Sequence, residues 1–309
     1  MKPKVIVIAG PTASGKTALS IELAKKINGE IVSADSMQIY KDMSIGTAKP
    51  TKQEMENIKH YMIDFVSPET RYSVSQYKSD ALLCIEEIIN KGKMPIVVGG
   101  TGLYIDSLIY GIEFQEMPID LEYRNKLNKI ADEGGLSKLY EEACKIDEEA
   151  MKIISPNDKK RIIRVLEIYK QTGKNKTQQN IESRKNEVPY DYKVFAIDMD
   201  REKLYEKINK RVDIMIENGL LEEVKSLYDK NIRSKAILTG IGYKELYEYY
   251  DGKISLDKAI ELIKQRSRHY AKKQYTWFNN QMDINWFNVD FDNFNNTVND
   301  VIKFIDGEK

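Results

Sequence analysis

The sequence predicts an α/β fold: a parallel-sheet core with helices on both faces, built around a P-loop and carrying a helical insertion domain. Three observations lead there. Short apolar runs at 5–9, 30–34, 94–98 and 193–198 alternate with segments of helical periodicity. Gly10-Pro11-Thr12-Ala13-Ser14-Gly15-Lys16-Thr17 sits between the first run and the first helix, the context in which G-x-x-x-x-G-K-T cradles phosphate oxygens. From about 115 to 188 the strand pattern disappears, which predicts a core of 1–113 and 190–309 interrupted by a helical insertion at 114–189.

Val5–Ala9 is apolar and β-branched, and Thr17–Ala24 opens the helix that follows. The glycines between them let backbone N–H groups turn toward an anion, aided by the positive end of the helix dipole. Lys16 adds a mobile charge, and Thr17 adds a hydroxyl suited to magnesium. The next strand, Glu30–Ala34, ends at Asp35-Ser36-Met37-Gln38-Ile39-Tyr40. Because ligands of open α/β sheets sit beyond the carboxyl ends of strands, Asp35 is expected to face the loop; a turn-capping aspartate is the equal alternative. Gly46–Pro50 reads as a polar loop, Tyr61–Val66 as a third strand and Ser73–Asn90 as a helix. Met94–Val98 leads into Gly99-Gly100-Thr101-Gly102, where Thr101 is placed to hydrogen-bond a substrate oxygen or to close a tight turn.

Within the insertion, Leu121–Ile130, Leu136–Cys144 and Asp158–Thr172 have helical periodicity, with Arg161 and Arg164 on one face. Lys193–Asp198 returns to the sheet. The helix from about Glu202 carries an apolar stripe of Leu204, Ile208, Val212 and Met215, and Arg211 projects into it. A charge there calls for an anionic partner, either a structural carboxylate or a bound phosphate. A long helix over about 255–278 has Lys264, Arg268 and Lys272 in one basic stripe, and no acid falls within 262–282. Such a stripe beside Tyr270, Tyr275 and Trp277 suits a phosphate backbone.

The chain has 309 residues with 48 basic and 48 acidic side chains, so no global charge draws it to polyanions. The first apolar run is too short for a signal peptide and no stretch is long enough to span a membrane. Cys84 and Cys144 are isolated, and with only His60 and His269 no zinc-like cluster forms. The expectation is a reduced, cytoplasmic protein.

These stretches in this order resemble the tRNA dimethylallyltransferase (tRNA isopentenyltransferase) family. The matching residues are GPTASGKT at 10–17, DSMQIY at 35–40, GTAKP at 46–50, GGTGLY at 99–104 and DKKRIIRVLE at 158–167. GIGYKE at 240–245 and SRHYAKKQYTWF at 267–278 complete the set. His269 and Asn279 depart from the Gln and Arg of the family pattern. The resemblance implies transfer of a dimethylallyl group from dimethylallyl diphosphate to N6 of adenosine 37 in the tRNA anticodon stem-loop. No ATP takes part, although the loop by itself is a nucleotide-binding motif. Lys16, a magnesium ion (Mg2+) on Thr17, the loop N–H groups and Arg211 would stabilise the leaving diphosphate. Asp35 would accept the amine proton and Thr101 would hold the reactants in line. Asp35, Ser36, Met37, Gln38 and Thr101 would line the channel for a flipped adenine. Arg124, Lys159, Lys160, Arg161, Ile162 and Ile163 would hold RNA, as would Gly240, Ile241, Gly242, Tyr243, Lys244, Glu245, Arg268 and Lys272. A monomer is expected, without membrane attachment. A small-molecule P-loop kinase, an enzyme prenylating free adenine nucleotides and a non-catalytic RNA-binding module are the alternatives.

Overall fold

The computed structural model describes residues 2–113, 120–183, 187–290 and 293–307. The chain divides into two compact units, Met1–Ile109 with Pro189–Lys309, and Tyr110–Val188. The first unit begins with strand β1 (Lys4–Ala9), helix α1 (Lys16–Ile27), β2 (Gly29–Ser33), β3 (His60–Tyr61), α2 (Val74–Asn90), β4 (Met94–Val98) and α3 (Gly102–Ile109). The second unit holds α4 (Leu121–Ile130), a π-helical turn at Ala131–Gly135, α5 (Leu136–Ile146), α6 (Glu148–Ile153), α7 (Lys159–Thr172) and α8 (Lys176–Ser183). The first unit resumes with β5 (Asp191–Asp198), α9 (Arg201–Glu217), α10 (Leu220–Asp229), α11 (Lys235–Thr239), α12 (Tyr243–Tyr250), α13 (Leu256–Gln281), β6 (Asn285–Asn288) and α14 (Phe294–Asp306).

All six strands are parallel, in the order β3-β2-β4-β1-β5-β6. Because side chains alternate along a strand, Ile6, Ile8, Ile96 and Phe195 pack on α1 and α14. Val5, Val7, Val32 and Val97 point the other way and are fully buried, on the side of α2 and α3. A second core joins α9, α10, α12 and α13 to Ile39, Met43 and Val66. The insertion unit has its own core of Leu127, Leu139, Ala143, Ile162, Val165 and Leu166. Among the described residues no helix is long and apolar enough to cross a membrane.

The third strand is shorter than the Tyr61–Val66 run promised. Met62 and Asp64 adopt left-handed backbone (φ 62° and 60°), which lifts the chain off the sheet after Tyr61. Val66 instead meets Tyr40 in an isolated bridge and buries its side chain in the second core. β6, with too few apolar residues to stand out in sequence, extends the other edge. The expected start of the insertion, 114, lies outside the described residues.

Candidate active site

The Gly10–Thr17 loop leaves β1 with Gly10 at φ 141°, its α-carbon so near β5 that an added Cβ would lie 3.1 Å from the Ile197 carbonyl. Ala13 and Gly15 are left-handed at φ 65° and 94°, and α1 then opens with first-turn N–H groups that have no intrahelical acceptor. Ser14 is fully buried, and its hydroxyl meets no hydrogen-bond partner among the described residues. Lys16 Nζ donates to the Pro11 carbonyl at 2.5 Å. Burial, and then the charge of Arg211, push the Lys16 ammonium down to about 7, against the pull of Asp35. Arg211 reaches Thr12, Nη1 to Oγ1 3.5 Å, and its own pKa is lowered by burial. Among the described residues no carboxylate stands within ion-pair distance of Arg211; the acid whose charge reaches it is Glu54, which lines the same cavity and raises its pKa against burial. Two cations thus share a loop built of anion-facing donors.

Asp35 follows β2 and lines the same cavity. Its Oδ1 accepts from the N–H groups of Met37 (2.8 Å) and Gln38 (3.3 Å), the turn geometry that was the alternative for this residue. Both roles fit one side chain, because that turn engages Oδ1 alone. Burial raises the Asp35 pKa, opposed by those two N–H groups and by Lys16. Thr101 Oγ1 accepts from the Ser36 N–H (3.0 Å) and lies 3.3 Å from the Ser36 hydroxyl. Tyr270 stands beside Thr101 and Asp35, its phenol pushed up to about 12 by burial and by the Asp35 charge. The main cavity holds about 790 Å3 between Thr12–Thr17, Asp35, Gln38 and Arg211. A second, of about 320 Å3, shares Thr12, Asp35 and Arg211 and continues past the apolar Met37, Ile208, Met215 and Ile241. The pair offers an anion seat opening into an apolar recess, with a carboxylate where they meet.

Helix α13 ties this arrangement together through Gln274 and Trp277. Gln274 is buried; its Oε1 accepts from the Thr12 N–H (2.8 Å) and its Nε2 donates to the Gly100 carbonyl (2.9 Å). One turn on, Trp277 Nε1 donates to Asp106 (3.1 Å) and its ring covers Gly102, where an added Cβ would come within 2.1 Å. A polar residue inside the apolar face of a helix was the available signal for Gln274.

The expected RNA contacts divide. Lys272 is exposed on α13. Lys264, by contrast, pairs with Asp213 (2.5 Å), and Arg268 Nη1 bonds Asn209 Oδ1 (2.5 Å), both on α9. The basic stripe is therefore partly an interhelical seam. Tyr243 and Glu245 are buried: Tyr243 donates to Glu223, and Glu245 caps the Gly242 N–H and pairs with Arg266. Both have packing roles, while Gly240, Ile241, Gly242 and Tyr243 line the apolar recess, and Lys244 lies 3.9 Å from Glu248. In the insertion unit Lys160 and Arg161 are exposed, and Lys159 pairs with Asp132. Ile162 and Ile163 belong to that unit's core, which takes their side chains away from any external partner. Arg124 grips the buried Glu167 through two bonds of 2.5 and 2.7 Å, a structural pair. Arg124→Ala would strand that carboxylate, with only Arg164 at 3.6 Å in partial compensation. A loss of about 2–3 kcal/mol in the stability of the insertion is expected by chemical denaturation, and unchanged stability would return Arg124 to the surface.

The family model described as IPP transferase matches residues 38–281. A tRNA dimethylallyltransferase of Bacillus mycoides is 46% identical over 307 residues, 99% of this chain and 96% of its own. One of Bacillus cytotoxicus is 50% identical over 288 residues, 93% and 91% of the two chains. The crystal structure of a tRNA delta(2)-isopentenylpyrophosphate transferase from Staphylococcus epidermidis superposes with a TM-score of 0.73 at 43% identity, covering 99% of this chain and 100% of that one. A eukaryotic dimethylallyltransferase acting on tRNA gives 0.79 at 32% identity, over 99% of this chain and 80% of the other.

Proposed function

Because the chain belongs to the IPP transferase family, we propose that it transfers the dimethylallyl group of dimethylallyl diphosphate to N6 of adenosine 37 in the tRNA anticodon loop. The observation that carries this reading is the junction of the two cavities, where Lys16, Arg211 and the unpartnered Ser14 hydroxyl surround an anion seat beside Asp35. The diphosphate would lie in the Gly10–Thr17 loop and the five-carbon chain in the recess beside Met37, Ile208 and Met215. As the allylic C1–O bond breaks, negative charge grows on the diphosphate, and Lys16, Arg211 and the loop N–H groups face it. The N6–C1 bond forms as Asp35 takes the amine proton, with Thr101 and Ser36 fixing the carboxylate's neighbour. No trio of His, Cys, Asp or Glu among the described residues forms a metal cage of its own. Thr17, at the start of α1 in the cavity wall, offers the hydroxyl that would hold Mg2+ against the diphosphate. Such an ion would neutralise diphosphate charge. The exposed Lys272 and Lys160 remain for RNA phosphates, with Arg161 beside them, exposed though paired with Asp158 at 2.9 Å. The reading extends to a cytoplasmic monomer that neither needs nor consumes ATP.

Mass spectrometry of tRNA nucleosides after incubation with dimethylallyl diphosphate tests the reading directly. Phosphate release from ATP in step with prenyl transfer would contradict it.

Lys16 gives a pH signature. In the free protein its ammonium titrates at about 7, so above that pH the amine is largely neutral, and a bound diphosphate draws the proton back. Donor binding should take up almost no proton near pH 6 and approach about one per site near pH 8.5. Calorimetry in buffers of different ionisation enthalpy measures this, and Lys16→Met should abolish it.

A further inference from the structure

Gln38 lies in the wall of the larger cavity, three residues beyond Asp35. Its amide nitrogen donates to the carbonyls of Thr47 (3.2 Å) and Ala48 (3.1 Å). Carbonyl oxygens only accept, so these contacts settle which end of the amide is nitrogen. Both N–H bonds are thereby engaged, and the buried Ser33 hydroxyl donates to Oε1 at 3.3 Å. What Gln38 still offers the cavity is an acceptor.

The two carbonyls are themselves held from a distance. Glu223 on α10 accepts from the N–H groups of Ser44 (2.8 Å), Ile45 (2.8 Å) and Gly46 (3.0 Å), and from the Tyr243 hydroxyl (2.6 Å). Ala48 sits at φ 50°, a conformation that persists only where the surroundings impose it. The Ala48 N–H bond to Ile45 and the Lys49 N–H bond to Ser44 carry the constraint from Glu223 to the carbonyls beneath Gln38.

From this chain of contacts we infer that Glu223 is a positioning residue that keeps Gln38 a pure acceptor, and that Gln38 with Asp35 makes the site select a base bearing an exocyclic amine. The inference rests on the proposed function and deepens it. An adenine amine donates to both acceptors, whereas the 6-oxo group of hypoxanthine sets oxygen against oxygen. A carboxamide released from the loop could turn over and donate to that oxygen, and the preference would fade.

The test measures affinity of the full chain for two anticodon stem-loop RNAs, one with adenosine and one with inosine at position 37. Wild type, Glu223→Gln and Gln38→Leu are compared. Glu223→Gln is isosteric but sets an NH2 against the loop N–H groups. The wild type should favour adenosine by about tenfold or more, and both variants should fall to within about threefold. A merely structural Glu223 would weaken both RNAs alike and leave the ratio intact, which would overturn the inference, as would a wild type without preference. If Glu223→Gln does not fold, Tyr243→Phe, which removes one of the four bonds to the carboxylate, takes its place and should lower the ratio. Prenylation of the adenosine stem-loop by wild type is assayed in parallel; failure there counts against the function itself.

Discussion

Asp35→Asn is expected to lower the single-turnover rate of prenyl transfer by about 10²-fold or more, while binding of tRNA and donor changes little. The adenine amine is a weak nucleophile because its lone pair is delocalised into the ring, and it must lose a proton as the new bond forms. The Asp35 carboxylate keeps one oxygen on the Met37 and Gln38 N–H groups. Asparagine can preserve that turn with its own oxygen, so the fold of the loop survives and the proton acceptor does not. Burial raises the Asp35 pKa, which makes it a stronger base than a surface carboxylate, while the Met37 and Gln38 N–H groups and the Lys16 charge pull the other way. If Asp35 acted instead by orienting magnesium, a metal titration would partly restore the variant. Near-normal chemistry in a single turnover would remove the residue from the mechanism.

Gln274→Leu should cost about 2–5 kcal/mol in chemical denaturation, since one side chain serves two backbone groups and leucine leaves both without a partner. The groups are the Thr12 N–H and the Gly100 carbonyl, on different loops at the sheet's carboxyl edge. Leucine fills nearly the same volume, so packing loss does not account for the effect. Thr12 also carries the hydroxyl nearest Arg211, so the donor KM should rise in the same variant. Gln274→Glu separates the two bonds: it still accepts from Thr12 but faces the Gly100 carbonyl with a carboxylate. Wild-type stability in both variants would show that the clamp is ornamental.

β1, β2, β4 and β5 were legible in sequence because each is a short run with β-branched residues, and the loop after β1 was legible because its residue spacing is local. Helix faces were legible in the same way, as the stripe on α9 shows. What local pattern could not supply was the partner across the fold. Lys264 and Arg268 read as one basic stripe on α13, yet Asp213 and Asn209 take up two of its charges from α9. Ile162 and Ile163 fall inside a motif whose Lys160, Arg161 and Arg164 face outward, while their apolar side chains belong to the insertion core. Gln274 is legible as a residue on the inner side of α13, but its partners, like those of Glu223, are not, because their bonds join residues 262 and about 180 positions apart, respectively. Asp35, Lys16 and Arg211 were each open to two readings in sequence, and they line one cavity in the fold.

The turn after β4 has a history written into its geometry. A methyl group at Gly100 would lie 2.0 Å from Gln274 Nε2, and one at Gly102 would lie 2.1 Å from the Trp277 ring. Either obstacle is a side chain that can itself change. At Gly99 the obstacle is the Ala34 carbonyl, 2.1 Å away, which no substitution removes. A side chain at Gly102 therefore calls for a smaller residue at 277, while one at Gly100 calls for the Gln274 amide to swing off its bonds to Thr12 and Gly100 or to be replaced. Gly99 has no such route. Divergence at this end of the sheet is path-dependent, and a library that mutates 100 with 274, or 102 with 277, should recover functional pairs whose turn substitutions fail alone.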